Sequence, residues 1–168
     1  VTRPEKKKLG ILSSLDVMGS DLSPYMMQMM QMQGRQPARS WAIASNLGDE
    51  YETVRVAADA DKIEPDIAYL MIVHPKDLPP KTLFAIDQFV MRGGRLLVFI
   101  DPFCYNDRPQ QDPSNPMAAM GQKQSSDLNA LLRNWGVEMD PEVIAVDPAL
   151  AQKTMNRWTQ RPAVNLPL

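Results

Sequence analysis

The sequence contains one cysteine and one histidine, and this scarcity excludes several kinds of site. With Cys104 alone the chain cannot form an internal disulfide, and with His74 alone it has no histidine pair for a transition metal. A Ca²⁺ or Mg²⁺ site made of carboxylates would need a loop motif that the sequence does not contain. We therefore expect the protein to work without a metal or another cofactor.

The sequence also lacks an excess of either charge and any long hydrophobic run. Eighteen basic and 20 acidic residues give a net charge of −2, so no basic field would attract nucleic acid. No apolar stretch approaches the ~20 residues that cross a bilayer, and no signal peptide is recognisable. Because the chain begins with Val1 and ends at Leu168 without a helix stop or a charged tail, we expect it to be part of a longer protein.

The glycine motifs of nucleotide-binding loops are absent, since there is no G-x-G-x-x-G and no Walker A sequence. The double glycine Gly93-Gly94 precedes the apolar run 96–100 and therefore lies at the amino end of a strand. Ligands of open α/β sheets gather at the opposite, carboxyl end. Gly93 and Gly94 are therefore predicted to be structural, ending a helix and turning the chain into the strand.

Hydrophobic periodicity predicts strands that alternate with helices. Residues 67–73 and 96–100 are continuous apolar runs, as expected of interior parallel strands, whereas 52–57 alternates and is expected at an edge. These patterns predict a single α/β domain over residues 1–168, with three layers, a mostly parallel sheet and the flavodoxin-like or glutaminase-like strand order 2-1-3-4-5. The other predicted elements are strands at 9–13 and 143–146, helices at 38–47, 81–92 and 149–157, and a helix capped by Ser125 or Ser126 and closed by Gly136.

The helix at 81–92 carries a broad apolar arc that includes Phe84, Phe89 and Met91. Asp87 falls inside this arc, among residues that we expect to be buried. Because a buried carboxylate needs hydrogen-bond donors, we expect Asp87 to accept backbone N–H groups from a neighbouring loop and to fix the helix register. A carboxylate in this position would not meet a substrate, so we predict a structural role for Asp87.

Residues 104–124 are rich in proline, glutamine, aspartate and asparagine, and they show no periodicity. A connection of this length without secondary structure is uncommon within a domain and typically forms a lid, a partner-binding loop or a disordered segment. Because it follows the strand 96–100, it leaves from the carboxyl edge of the sheet, where ligands bind. We expect 104–124 to be a long flexible loop that contributes to function.

In the predicted strand order, the carboxyl edge of the sheet collects polar side chains from several strands. We take Ser13, Ser14, His74 and Asp101 as the candidate ligand-binding or partner-binding edge. Serine, histidine and aspartate together suggest a hydrolase, but neither the serines nor Cys104 lie in a glycine-flanked elbow such as G-x-S-x-G. We therefore predict no catalytic residue in this set. The same edge is also expected to carry Asp16, Asp59, Asp61 and Asp147.

Five methionines lie close together, at positions 26, 27, 29, 30 and 32. Methionine thioethers bind Cu(I), but a stretch of this kind serves more often as an adaptable apolar contact, in a core or against a partner. The sequence favours the contact and leaves a metal-handling module as an alternative. Titration with Cu(I) under reducing conditions distinguishes the two.

Residues 65–102 (PDIAYLMIVHPKDLPPKTLFAIDQFVMRGGRLLVFIDP) resemble the central segment of the auxiliary components of ABC transporters related to gliding motility. The resemblance implies a periplasmic or otherwise extracytoplasmic domain beside an ABC permease and its ATPase, anchored by membrane segments outside this chain. It also implies a fold related to glutaminase-like domains, and it carries over no catalytic residue. The motifs that carry the similarity are the strand end His74-Pro75-Lys76, the segment 85–89, the turn Gly93-Gly94 and the strand end Asp101-Pro102.

These observations favour a non-catalytic binding or scaffolding domain of an ABC-type transport system. Its carboxyl edge and the 104–124 loop are expected to contact a partner or a small ligand such as a sugar. The alternatives are a degenerate hydrolase of the glutaminase-like class and a metal-handling module built on the methionines. The hydrolase gains support if Ser13, His74 and Asp101 lie within hydrogen-bond reach of one another around an open pocket, and loses it if they lie on separate loops.

Overall fold

The computed structural model describes residues 6–34, 36–107, 122–141 and 143–144, together with the backbone of 152–155 and 162–165. Its strands are β1 (Lys8–Ser13), β2 (Glu52–Val56), β3 (Ile67–Val73), β4 (Arg95–Phe99), β5 (Gln152–Met155) and β6 (Pro162–Asn165). Its helices are α1 (Pro24–Met32), α2 (Ala42–Glu50), α3 (Pro80–Met91) and α4 (Asn129–Leu132), and a 3₁₀ turn (Arg133–Trp135) follows α4.

The strands β1 to β4 form one parallel sheet in the order β2-β1-β3-β4. The apolar strand β1 is buried from Leu9 to Leu12 and pairs with β2 on one side and with β3 on the other. Because every crossover in this sheet returns the chain to the same end, the carboxyl ends of all four strands share one edge. The α/β class and the predicted order of these four strands are confirmed.

The prediction of a fifth strand in this sheet is wrong for the part that the structure describes. Residues 143 and 144 belong to no strand, and residues 145–146 lie outside the described residues. The helix predicted at 149–157 is also wrong, because 152–155 form β5, which pairs with β6 in an antiparallel hairpin. Backbone pairing with a later segment overrides local helix propensity here, and a single segment of sequence does not reveal such a partner.

One face of the sheet is covered by α3 and α4. The buried residues of α3 are Thr82, Ala85, Ile86 and Phe89, which lie on one narrow stripe. The broader predicted arc is wrong at Phe84 and Met91, which are 64% and 73% exposed. Those two residues lie on the far side of the helix, so their apolar character does not report burial.

The end of α3 shows why two glycines follow it. Gly93 has a φ of +89°, and its N–H donates to the carbonyl of Val90 at 2.9 Å. Gly94 passes so close to Phe89 that an added Cβ would lie 2.5 Å from its ring. The pair thus turns the chain directly from α3 into the amino end of β4.

The other face of the sheet carries α2, whose buried residue is Ala44. This helix starts and ends later than predicted: Gly48 lies inside it, and Tyr51 terminates it by donating its N–H to Leu47. The covered residues on this face belong to β1 and β3, namely Leu9, Ile11 and Met71.

Strand β4 was predicted to be interior, but it is the outer strand of the described sheet. On the face that carries α2, Leu97 and Phe99 are 54% and 44% exposed. The predicted cap of the later helix is also wrong, since Leu128 is the N-cap residue of α4. Gly136, with a φ of +79°, ends this segment as predicted.

Candidate functional site

The carboxyl ends of β1 and β3 are tied together by two serine hydroxyls. Ser13 Oγ donates to the carbonyl oxygen of Val73 at 2.8 Å, and Ser14 Oγ donates to that of His74 at 2.5 Å. Ser13 Oγ also accepts the N–H of Leu15 at 3.0 Å. Both hydroxyls therefore extend the pairing of the two strands beyond the last backbone hydrogen bond.

His74 is the residue that the structure places most centrally at this edge. It is only 2% exposed, and its φ of +52° is uncommon for a residue other than glycine. Its N–H donates to the carbonyl of Phe99 at 2.9 Å, and its Nε2 lies 3.2 Å from Asp107 Oδ2. Within the described part of the chain, the buried Nδ1 has no hydrogen-bond partner. Strained backbone and an unsatisfied buried polar atom are features that cluster at functional sites.

Asp107 joins His74 to a lysine. Lys76 Nζ donates to Asp107 Oδ2 at 2.5 Å, and the same oxygen is the partner of His74. Partial burial works to raise the pKa of the Asp107 carboxyl, but the hydrogen bonds from Lys76 and His74 outweigh it, so this pKa lies below its usual value. Asp107 is therefore held as a carboxylate between two donors.

Asp101 lies beside this cluster and makes hydrogen bonds with the neighbouring segments. Its Oδ1 accepts the N–H of Phe103 at 2.9 Å, and its own N–H donates to Ser126 Oγ at 2.8 Å. Ser126, which we had predicted as a helix cap, returns a backbone hydrogen bond to Asp101 at 2.9 Å. The segment around Ser126 thus crosses the carboxyl ends of β3 and β4.

The two ends of the predicted 104–124 loop are hydrogen-bonded to each other. Gln124 accepts the N–H of Cys104 at 2.8 Å through its carbonyl, and its Nε2 donates to the carbonyl of Asp107 at 2.9 Å. Residues 108–121 lie outside the described residues. The described residues of this loop are thus its two ends, which are joined by hydrogen bonds between Gln124 and residues 104 and 107.

The three residues of the hydrolase hypothesis, Ser13, His74 and Asp101, are not hydrogen-bonded to one another through their side chains. The hydroxyl of Ser13 is bonded to a backbone carbonyl, the ring of His74 to Asp107, and the carboxylate of Asp101 to a backbone N–H. A nucleophile, its base and an orienting carboxylate must be hydrogen-bonded in series for acyl transfer. These three residues therefore assemble no such relay, and Cys104 is a buried thiol at the base of the loop.

Two cavities open on either side of the cluster of His74, Asp107 and Lys76. One has a volume of about 350 Å³ and lies between α2 and the carboxyl ends of β3 and β4. Its walls include His74, Asp101 and four aromatic side chains, those of Trp41, Phe99, Phe103 and Tyr105. The other is polar, about 490 Å³ in volume, and it is lined by Lys76, Asp77, Gln122, Lys123, Ser125, Asp127 and Pro141. We call the first the aromatic cavity and the second the polar cavity.

The remaining predicted residues lie away from these cavities. Asp16, Asp59 and Asp61 are exposed and line neither cavity, and Asp147 lies outside the described residues. Asp87 is half-buried, and its Oδ1 accepts the indole N–H of Trp135 at 3.0 Å. Gln88 Nε2 donates to Asp87 Oδ2 at 3.4 Å, so the donors to this carboxylate are side chains and not the expected backbone N–H groups.

Sequence reasoning missed Asp107, Ser126 and the role of Lys76. Asp107 and Ser126 lie in polar segments without periodicity, and no local pattern indicates that they meet His74 or Asp101. Among the described residues, no group of three or more His, Cys, Asp or Glu side chains is arranged to hold a metal ion. None of the helices that the structure describes has the length and hydropathy of a membrane-spanning segment.

Comparison with known families shows a match over nearly the whole chain. The model of the family described as ABC-type uncharacterized transport system matches residues 6–167. Neither the curated proteins nor the solved structures contain a significant match to this sequence.

Proposed function

Since the chain belongs to the ABC-type uncharacterized transport system family and is thereby an auxiliary component of such a system, we propose that it is a non-catalytic binding or scaffolding domain on the extracytoplasmic side of the inner membrane. Its partners are the ABC permease and ATPase subunits. The similarity of residues 65–102 to gliding-motility-related components supports the narrower assignment within this group.

The observation that carries the proposal is the aromatic cavity at the carboxyl edge of the sheet. Its volume of about 350 Å³ is in the range of ligand pockets, and it combines aromatic walls with a few polar groups. Such a pocket accepts an apolar side chain of a partner, or a sugar ring whose apolar face stacks on an aromatic side chain. The separate hydrogen bonds of Ser13, His74 and Asp101 support binding rather than catalysis.

Capture of the full-length protein from its own membranes tests the partner. Phe103 lies at the mouth of the aromatic cavity, while Phe84 is similarly exposed on the outer side of α3. We expect an ABC permease to be recovered with the wild type and with Phe84→Ala, and about tenfold less of it with Phe103→Ala, a loss of ~1.4 kcal/mol. The proposal fails if no permease is recovered, or if both variants recover it equally well.

A second experiment tests whether a small ligand binds in the aromatic cavity. Trp41 lines the aromatic cavity, so a sugar that enters it should change tryptophan fluorescence in a saturable way. A panel of mono- and disaccharides is titrated into the wild type and into Trp41→Phe. A response that persists unchanged in Trp41→Phe places the sugar elsewhere and removes it as an occupant of this cavity.

The cellular location is tested with one engineered cysteine. Cys104 is buried, whereas Met91 is exposed at the end of α3. In full-length Met91→Cys in intact cells, a membrane-impermeant maleimide should label the new thiol. Labelling that requires disruption of the inner membrane would contradict an extracytoplasmic domain.

A further inference from the structure

The segment between β1 and α2 is closed at its two ends by hydrogen bonds between Ser20 and Ala38. The N–H of Ser20 donates to the carbonyl of Ala38 at 3.0 Å, and the N–H of Ala38 donates back to Ser20 Oγ at 3.0 Å. Gly19 fits beneath this pair with a φ of +77°, and an added Cβ would lie 2.9 Å from the Ala38 carbonyl oxygen. Arg55 holds Gly19 by donating to its carbonyl at 2.6 Å. We call residues 20–38 the finger.

The finger carries α1, a helix with no buried residue. The N-terminus of α1 is capped, because Ser23 Oγ accepts the N–H of Met26 at 3.3 Å and Pro24 occupies the first turn. Yet Tyr25 is 70% exposed and Met32 is 82% exposed. An isolated helix of nine residues is marginal in water, and apolar packing normally supplies the rest of its stability. Among the described residues, Met30 is the one residue of α1 that is partly buried, and the helix belongs to neither hydrophobic core cluster.

The composition of α1 specifies what fits it. At 100° per residue, Tyr25 and the five methionines cover an arc of about 220°, and Gln28 and Gln31 lie on the remaining strip. No residue from Leu22 to Gln33 is charged. A helix that packs on a flat surface needs an apolar stripe of only about 100°, so an arc twice as wide is typical of a helix enclosed on several sides.

We propose that α1 docks into an apolar, uncharged groove between helices of a partner protein. Flexible methionines adapt to such grooves, and a helix laid in a groove is a common mode of recognition. A lipid surface fits less well, because helices that lie in the membrane interface carry Lys or Arg on one face and Trp, Phe or Leu on the other. Docking of the finger goes beyond the proposed function, because α1 lines neither cavity and forms a second contact surface.

The test places a photo-reactive phenylalanine analogue at Met32 of the full-length protein in its native membranes. The same analogue at Met91, which has comparable exposure on α3, is the control. We expect adducts from position 32 to one protein, in an uncharged apolar stretch between helices, with a yield at least about tenfold above position 91. Adducts to lipid, adducts only to a second copy of this chain, or a yield equal to the control would each overturn the proposal.

A second experiment separates docking from proximity. Met26→Gln combined with Met29→Gln removes two exposed methionines from the middle of the apolar arc without changing charge. With the probe at position 32, this double variant should lose most of the adduct, whereas Met91→Gln should keep it. Because α1 has no buried residue, the abundance of the full-length protein should not change. An unchanged adduct at unchanged abundance means that the groove does not recognise the methionines, and the proposal is then wrong.

Discussion

Strand β4 carries apolar residues on both of its faces, but the two faces have opposite surroundings. Leu96 and Val98 turn toward α3 and pack on the main core, which includes Ile72, Ile86 and Phe89. Leu97 and Phe99 turn toward the face that carries α2 and are largely exposed. Large apolar side chains therefore lie on both sides of the strand, although Arg95 shares the open side, and the two sides differ in what covers them. A contiguous apolar surface that is left open on a folded domain marks a place of contact.

The open face leads directly to the aromatic cavity, because Phe99 belongs to both. A smaller cavity of about 200 Å³ lies at the other end of the same face, between Tyr51, Tyr69 and Leu97. The covered face of β4 thus belongs to the main core, and we propose that its open face supplies contacts. The following changes test this division, from the largest expected effect to the smallest.

The sharpest comparison is between two phenylalanines on opposite faces. Phe89→Ala removes a fully buried ring and should lower the free energy of unfolding by about 3–5 kcal/mol. Phe99→Ala on the open face should lower it by less than about 1 kcal/mol. Urea denaturation of both variants gives the two values. Equal losses would show that the open face also belongs to the core.

The two glycines after α3 sharpen the account of the covered face. Gly94→Ala forces a Cβ against the ring of Phe89, so it should destabilise the protein by about 1–3 kcal/mol. Gly93→Ala meets open space and suffers only from its positive φ, at about 1 kcal/mol. Thermal unfolding should therefore rank Gly94→Ala as the less stable variant. The reverse order would contradict the close passage of Gly94 beneath Phe89.

Asp87 tests the edge of the covered face, where it receives the indole N–H of Trp135. Asp87→Ala should lower the melting temperature by an amount that corresponds to about 1 kcal/mol, because the indole loses its acceptor. Binding of the ABC permease should stay at the wild-type level. Phe84→Ala, at an exposed position of the same helix, is the control. An unchanged melting curve for Asp87→Ala would remove its structural role.

Asp107 gives the smallest effect and a defined pH dependence. Because its folded-state pKa lies below the usual value of 3.8, its ionisation stabilises the folded state above that pH. This contribution is lost as the pH falls through the folded pKa. Asp107→Asn should therefore be less stable than the wild type at pH 7, by less than about 1 kcal/mol, and the difference should shrink below about pH 4. A difference that grows on acidification would contradict the assigned direction.

The sequence predicts the strands better than it predicts what covers them. The run IAYLMIV becomes the interior strand β3 as expected, because a continuous apolar run suits a strand with both faces buried. The similar run LLVFI was assigned to the interior for the same reason, yet Leu97 and Phe99 are open to solvent. A run of apolar residues reports the chemistry of a strand and not the identity of its neighbours.

The candidate site was predictable only where it follows strand ends. Ser13, Ser14, His74 and Asp101 do come to one edge, because parallel strands place their carboxyl ends together. The contact of His74 with Asp107 joins residues that are 33 positions apart in the sequence, and it leaves no local signal. Helix α1 was missed for a different reason, since a helix without a buried face has no reason to show one hydrophobic period.

Hydrogen exchange tests most directly whether the two faces of β4 have different roles. It is measured by mass spectrometry on the full-length protein, alone and with its ABC permease. Our account predicts that the permease slows exchange in peptides covering β4 and residues 101–107, and leaves peptides of α3 unchanged. Slower exchange in α3 alone, or none in β4 and 101–107, would contradict it.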